Sequence, residues 1–205
     1  MKKLLFTLIA LVSFFNWAFS YSWLYVNDPR NGGRWGNGTI EEIDIAVQPK
    51  GAYFEYNMYI TFGTGSKTST TASTTTTSTN TGDSLELSCY FSLPENSIVN
   101  DAWLWVGNEI VKAKIMDRSK ATEIYEGIVK RRKDPLILYK NYGSSYSFRI
   151  FPIFDNGTRK MKISFLIPAN VSGDYLQSKL PTELFLTSQN PVKKATIHVK
   201  TDNVW

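Results

Sequence analysis

One cysteine and one histidine occur in 205 residues, and that scarcity removes much of the usual chemistry of sites. Histidine is the common general base and metal ligand. The only one, His198, alternates in ATIHVK against Ala195, Ile197 and Val199, which places it on the polar face of a strand, in solvent. A lone Cys89 leaves no internal disulfide framework. Leu85, Leu87, Cys89, Phe91 and Leu93 share one strand face, and Glu86, Ser88, Tyr90 and Ser92 share the other. Cys89 is therefore predicted to be a packed, inert thiol, which leaves a Cys–His mechanism poorly supported. G-x-S-x-G, P-loop and EF-hand spacings are also missing. Gly63-Thr64-Gly65 matches only a weak fragment of a phosphate loop and opens a Ser/Thr tract, so it is read as a linker. Glu41, Glu42 and Asp44 cluster along one strand, whereas glycoside chemistry needs two carboxyls facing across a cleft. No enzymatic activity, no metal and no cofactor are expected.

Long apolar runs are lacking too. Leu4 to Phe15 is shorter than the roughly 20 residues of a membrane span. It follows Lys2 and Lys3 and precedes Ala18-Phe19-Ser20, the order of a signal peptide cut before Tyr21. Residues 1–20 are read as that signal peptide, with an uncleaved anchor as the alternative, and the protein as secreted or at the cell surface. No transmembrane span is expected after cleavage. Removing them lowers the basic count from 23 to 21 against 18 acids, and the net charge from +5 to +3. That balance, with no basic face, points away from nucleic acid. The remaining length suffices for one well-buried domain.

What is present is mostly alternation. Residues 21–38, rich in Gly, Asn and Trp, are read as a lead-in loop. Ile43, Ile45 and Val47 then form a strand face ahead of a Pro49-Lys50-Gly51 turn, and Phe54, Tyr56, Met58, Ile60 and Phe62 form the next. From Thr64 to Thr81, fourteen of eighteen residues are Ser or Thr, a composition that cannot bury a core. This tract, within 63–84, is read as an insertion at a hairpin tip, either bare or carrying O-linked sugars. Two strands turning at Gly107-Asn108 follow, and later PLILYK, SYSFRIFPI and KMKISFLIP, with Asp155-Asn156-Gly157 as a turn. Residues 171–205 are read as the start of a further β segment of a longer protein. NGT at 37–39 and 156–158, and NVS at 170–172, fit the N-glycosylation acceptor pattern.

One stretch breaks the alternation. Ala121, Ile124, Tyr125, Ile128 and Val129 make a helical apolar stripe, predicting an amphipathic helix over about 117–132. Asp117 or Ser119 can cap its start, Glu126 to Lys130 is a favourable i,i+4 pair, and Asp134-Pro135 stops it. Gly127, costly inside a helix, is attributed to close packing against sheet. Lys130, Arg131, Arg132 and Lys133 gather where the helix dipole favours cations. They either neutralise that end or meet an acidic partner. Trp23, Tyr25 and Trp35 of the lead-in either stack on a sugar or partner, or fold back over a sheet edge.

FSLPENSIVNDAWLWVGNEIVKAKIMDRSKATEIYEGIVKRRKDPLILYK resembles the VIT domain, the module of vault protein and inter-alpha-trypsin inhibitor. The features come in order: Phe91-Ser92-Leu93-Pro94, Trp103-Leu104-Trp105, Gly107, the charged helix, then SFRIFPI and RKMKISFLIP. The likeness covers about 39–170, and its start is similar to bacterial exported versions. Arg132-Lys133-Asp134-Pro135 and the Ser/Thr tract depart from the pattern. The resemblance implies a mainly β, sandwich-like fold of antiparallel strands with one packed helix. It also implies a non-catalytic role in protein–protein interaction, adhesion or assembly, often ahead of a von Willebrand type A domain. Another protein or a cell-surface matrix component is the implied partner. A carbohydrate surface formed by the aromatics and the basic helix end is the alternative. The candidate partner-binding residues are Lys130, Arg131, Arg132, Lys133, Trp23, Tyr25 and Trp35.

Overall fold

A computed structural model describes residues 22–30, 33–67, 84–131 and 133–200. The signal-peptide residues, most of the Ser/Thr tract and Arg132 lie outside that set.

The alternating segments become twelve strands: β1 Trp23–Asn27, β2 Arg34–Lys50, β3 Tyr53–Lys67, β4 Leu85–Ser92, β5 Ile98–Val106 and β6 Glu109–Lys112. After helix α1, Arg118–Lys130, come β7 Leu136–Lys140, β8 Ser145–Ile153, β9 Thr158–Pro168, β10 Asn170–Ser172, β11 Tyr175–Gln177 and β12 Lys194–Val199. Ten belong to one sheet in the order β6-β5-β9-β3-β2-β1-β4-β8-β7, with β12 parallel to β2. β10 and β11 form a separate hairpin.

A sandwich of two layers was expected, and the structure has a single sheet curled into a half-barrel. The chain connectivity demands the curl. Ile153 and Thr158 end β8 and begin β9, so that link spans about 18 Å at most. In sheet order those strands are five spacings apart, which is about 24 Å if flat. The long strands β2 and β3 serve both halves, because β2 pairs with β1 near Gly36–Asn37 and with β12 over Glu42–Val47. Their register shifts between Ile40 and Glu42, a bulge of the kind that bends a strand. Gly38 belongs to this bend, since a Cβ there would lie 2.6 Å from Leu24 Cγ.

Three local expectations change. The lead-in contains β1 and the start of β2, where a loop was predicted. Leu24 and Val26 are buried, but five residues become a strand only because β2 and β4 pair with both edges. The strands flanking the Ser/Thr tract, β3 and β4, are not neighbours as a hairpin would make them, since β2 and β1 lie between them in the sheet. The tract itself over 68–83 lies outside the described residues. After the separate β10–β11 hairpin, the described residues up to 200 return to the main body: Leu184 enters the main core and β12 pairs with β2.

The inner face carries the core that alternation predicts. Met58, Ile60, Phe62, Leu87, Cys89, Phe91, Phe148, Ile163 and Phe165 are all buried in one cluster. Burial pushes the Cys89 thiol far above its ordinary pKa, which keeps it unreactive.

Helix α1 lies over the outer face of the β4–β8–β7 half. Asp117 caps it, accepting from the Ser119 and Lys120 amides at 2.9 and 3.4 Å. A second, smaller cluster of Tyr125, Ile137 and Phe151 forms beneath it, with Ala121, Val129 and Tyr139 against it. Ile124, predicted within the buried stripe, is 42% exposed. A 13-residue helix lying on one sheet surface buries a narrow arc centred on Tyr125, and Ile124 is turned to its flank. Gly127 has nothing within 4 Å of a would-be Cβ, so close packing does not explain it.

Candidate interaction surface

Where α1 is absent, no helix among the described residues roofs the outer face of the sheet. Register sets Tyr59 of β3 opposite Lys162 of β9, Lys162 opposite Trp103 of β5, and Trp103 opposite Lys112 of β6. One row across four strands thus alternates ring and cation. The Lys162 ammonium lies 3.9 Å from the Trp103 ring centre and 5.8 Å from that of Tyr59. Lys112 covers Trp103 at 4.8 Å. Lys160, two residues from Lys162, lies 5.3 Å from Trp105 and 6.0 Å from Tyr59. Each such contact is worth about 0.5–2 kcal/mol, more as it is desolvated.

Lys162 is only 8% exposed, yet among the described residues no carboxylate pairs with Lys112, Lys160 or Lys162 within 4 Å. Trp103 Nε1 is buried without a hydrogen-bond partner. The nearest acids in the rows are Glu42 and Asp44 of β2. Lys194 Nζ bonds Glu42, which also senses the Lys160 charge, and His198 Nε2 lies 3.1 Å from Asp44 Oδ1, an oxygen without a hydrogen-bond partner. A face of this kind offers ring surfaces to apolar groups and ammonium groups to anions.

The opposite half is built differently. Tyr125 of α1 donates its hydroxyl to Glu86 of β4 at 2.7 Å. Arg149 of β8 stacks over the Tyr125 ring at 4.5 Å, reaches Glu126 at 2.8 Å and stands 3.7 Å from Glu86. Glu126, predicted to pair with Lys130 along the helix, thus faces the sheet. Burial raises the Glu86 carboxyl above its ordinary pKa, and the Tyr125 hydrogen bond and Arg149 charge offset this only in part. Burial, then the Glu86 charge, lifts the Tyr125 phenol, so its hydroxyl stays a donor. This cluster fastens the helix to the sheet.

The residues singled out from sequence fall in two places. Trp23 and Tyr25 lie on the outer face of β1, their ring centres 4.3 Å apart, and Trp23 stacks on Tyr90 at 5.8 Å. They do not cover a sheet edge, because β1 sits between β2 and β4. Trp35 falls within β2, its side chain outside the described set. Lys130, Arg131 and Lys133 are exposed at the end of α1, where Arg131 Nε donates to the Gly127 carbonyl at 3.1 Å. Sequence reasoning missed the open face. Its signal was present, since Trp103 and Trp105, and likewise Lys160 and Lys162, stand two apart in strands.

Among the described residues, no three His, Cys, Asp or Glu side chains gather to hold a metal ion. Nor is any helix among them long and apolar enough to cross a membrane. A family model described as the vault protein inter-alpha-trypsin domain matches residues 60–165, just over half of the chain. The matched span runs from within β3 to β9 and takes in Trp103, Trp105, α1, Lys160 and Lys162. No curated protein matches the sequence.

Proposed function

Since the chain belongs to the vault protein inter-alpha-trypsin (VIT) domain family, we propose that it is a non-catalytic interaction module of a larger secreted or cell-surface protein. Its contact surface is the open outer face, and its partner is a protein presenting an acidic patch, in adhesion or assembly. The single observation behind this is the row Tyr59–Lys162–Trp103–Lys112, which holds a nearly buried ammonium between rings without a carboxylate. Tryptophan and tyrosine dominate binding energy at protein contacts. Unpaired lysines around them steer an acidic partner and set the salt dependence. Export follows from the signal-peptide pattern of residues 1–20.

The test is affinity capture of cell-envelope proteins by the exported chain, beside a Trp103→Ala/Trp105→Ala double variant. The expected result is a specific set of acidic proteins, lost in the double variant and weakened by salt. An unchanged set, or a chain found partnerless in the cytoplasm, refutes the proposal.

A second reading, a carbohydrate surface, draws on the stacked rings of Trp23, Tyr25 and Tyr90. Stacked, half-buried rings on a strand face suit the apolar face of a sugar. Binding on a glycan array that persists in Trp23→Ala/Trp35→Ala would remove it.

A further inference from the structure

Among the described residues the half-barrel has an unclosed side, where β7 is the last strand of the sheet and β5 comes near it without pairing. Two backbone bonds fix the phase of its pairing with β8: Phe151 N to Pro135 O at 3.1 Å, and Asn141 N to Ser145 O at 2.9 Å. In an antiparallel ladder the bonded pairs alternate, so Ile137 and Tyr139 turn their amides toward β8. Leu136, Leu138 and Lys140 turn theirs outward. Arg118 confirms the phase, for its Nη2 donates to the outward Lys140 carbonyl at 3.2 Å.

That edge borders a groove of about 650 Å³. The flank of α1, residues 111–116 and the first half of β5 form its other walls. Large apolar side chains surround it in the open: Ile98, Val111, Ile115, Met116 and Ile124, with Ile115 the most exposed at 93%. Exposed apolar groups concentrated at one concavity mark a contact site more often than scattered ones do. The rim is cationic, with Lys112, Lys114, Arg118 and Lys140 against Asp101 and Asp134. Asp134 is already held by Arg159.

We propose that the free edge of β7 takes an extended, acidic segment of another protein as an added strand. Its backbone pairs with the outward amides and carbonyls of Leu136 and Leu138. Alternate apolar side chains enter the groove, and the acidic residues between them meet the lysines of the rim. Free main-chain groups give such strand addition its affinity, and pockets for every second side chain give its selectivity. The charge balance of the rim selects an acidic segment over a neutral or basic one.

The experiment uses a ten-residue peptide alternating Ile and Glu, titrated into the chain by calorimetry. Controls are the same peptide with Lys for Glu, and one N-methylated at alternate residues. Amide exchange at Leu136 and Leu138 is followed throughout. Expected are saturable binding of the acidic peptide and slowed exchange at both amides. The N-methylated and Lys peptides should bind at least tenfold more weakly, as should the acidic peptide to Ile115→Glu/Ile124→Glu. Those two substitutions alter exposed side chains, so circular dichroism should show an unchanged fold. Absence of binding, binding indifferent to N-methylation, or equal binding of the Lys peptide overturns the proposal. Concentration-dependent dimerisation that hides the same amides also overturns it, by giving the groove to a second copy of the chain.

Discussion

On the β4–β8–β7 half of the sheet, the outer face is roofed by α1, and its one central cation, Arg149, has carboxylates on two sides. On the β3–β9–β5–β6 half the outer face is open, and Lys162 has only rings. Both halves place a cation over an aromatic ring at 3.9–4.5 Å, so the ring contact is not what separates them. The difference lies in the anion. Under the helix a carboxylate is taken out of water and needs the Tyr125 hydroxyl and the guanidinium to be tolerated. On the open half, among the described residues, no carboxylate lies within 4 Å of the lysines, and Glu42, which senses the Lys160 charge, is bonded to Lys194 instead. The charge of Lys162 and Lys112 therefore remains available to something outside the molecule.

The largest effect should come from removing the residue that roofs the first half. Tyr125→Ala deletes the most buried side chain of α1 and leaves Glu86 without its donor. A loss of about 3–5 kcal/mol in unfolding free energy is expected by denaturant titration. Tyr125→Phe should lose only about 1–2 kcal/mol, the share of the hydroxyl. Equal losses would mean that the hydrogen bond, and not the packing, holds the helix.

The comparison itself is broken or upheld by a pair of matched substitutions. Arg149→Met leaves Glu86 and Glu126 without a cation and should cost about 3 kcal/mol. Lys162→Met leaves no anion behind, so its stability should stay within about 1 kcal/mol of the parent. Binding to an acidic partner should nevertheless be lost. Were Lys162→Met as destabilising as Arg149→Met, the open face would be a structural ladder and the proposed contact surface would fail.

Glu86 sharpens the contrast through pH. Its carboxyl is raised in the folded state, with Tyr125, Arg149, Glu126 and Ser88 facing it. The folded protein therefore holds that proton more tightly than the unfolded chain does. The stability this confers is full below the ordinary glutamate value of about 4.5 and is lost as pH rises through the raised value. Asp28, Glu41, Glu55 and Asp117 are lowered by partners and act with the opposite sign at lower pH. They cancel in the difference between parent and Glu86→Gln. That difference should shift in favour of Glu86→Gln as pH goes from 4 to 7, with Gln still accepting from Tyr125. A flat difference would place Glu86 in contact with water.

The inner face was legible in the sequence because burial follows alternation alone. Cys89, Phe91, Met161 and Phe165 needed no knowledge of their neighbours. β1 was not legible, because five residues with Gly and Asn after them become a strand only between two partners supplied from 34–37 and 86–90. The open face failed for the same reason. Tyr59, Trp103 and Lys162 stand in one row by cross-strand register, which local pattern does not encode. The basic run at the helix end drew attention because it is contiguous in sequence, and contiguity is what a sheet surface lacks. The half-barrel was hidden likewise: a four-residue link reveals the curl only when the strands it joins are known to lie five spacings apart.

The smallest effect concerns Gly127, whose presence nothing in the structure explains. A Cβ there meets no atom within 4 Å, and the residue sits inside α1. Alanine should therefore stabilise the protein by about 0.5–1 kcal/mol, through a less flexible unfolded chain and better helix propensity. The gain should appear in denaturant midpoints without a change in slope, and it should vanish in Tyr125→Ala, where the helix is no longer held to the sheet. Additivity of the two substitutions would show α1 standing as a helix without its roofing contact. Destabilisation by Gly127→Ala would show that this flank is covered, and the roofed half would then be more enclosed than its geometry indicates.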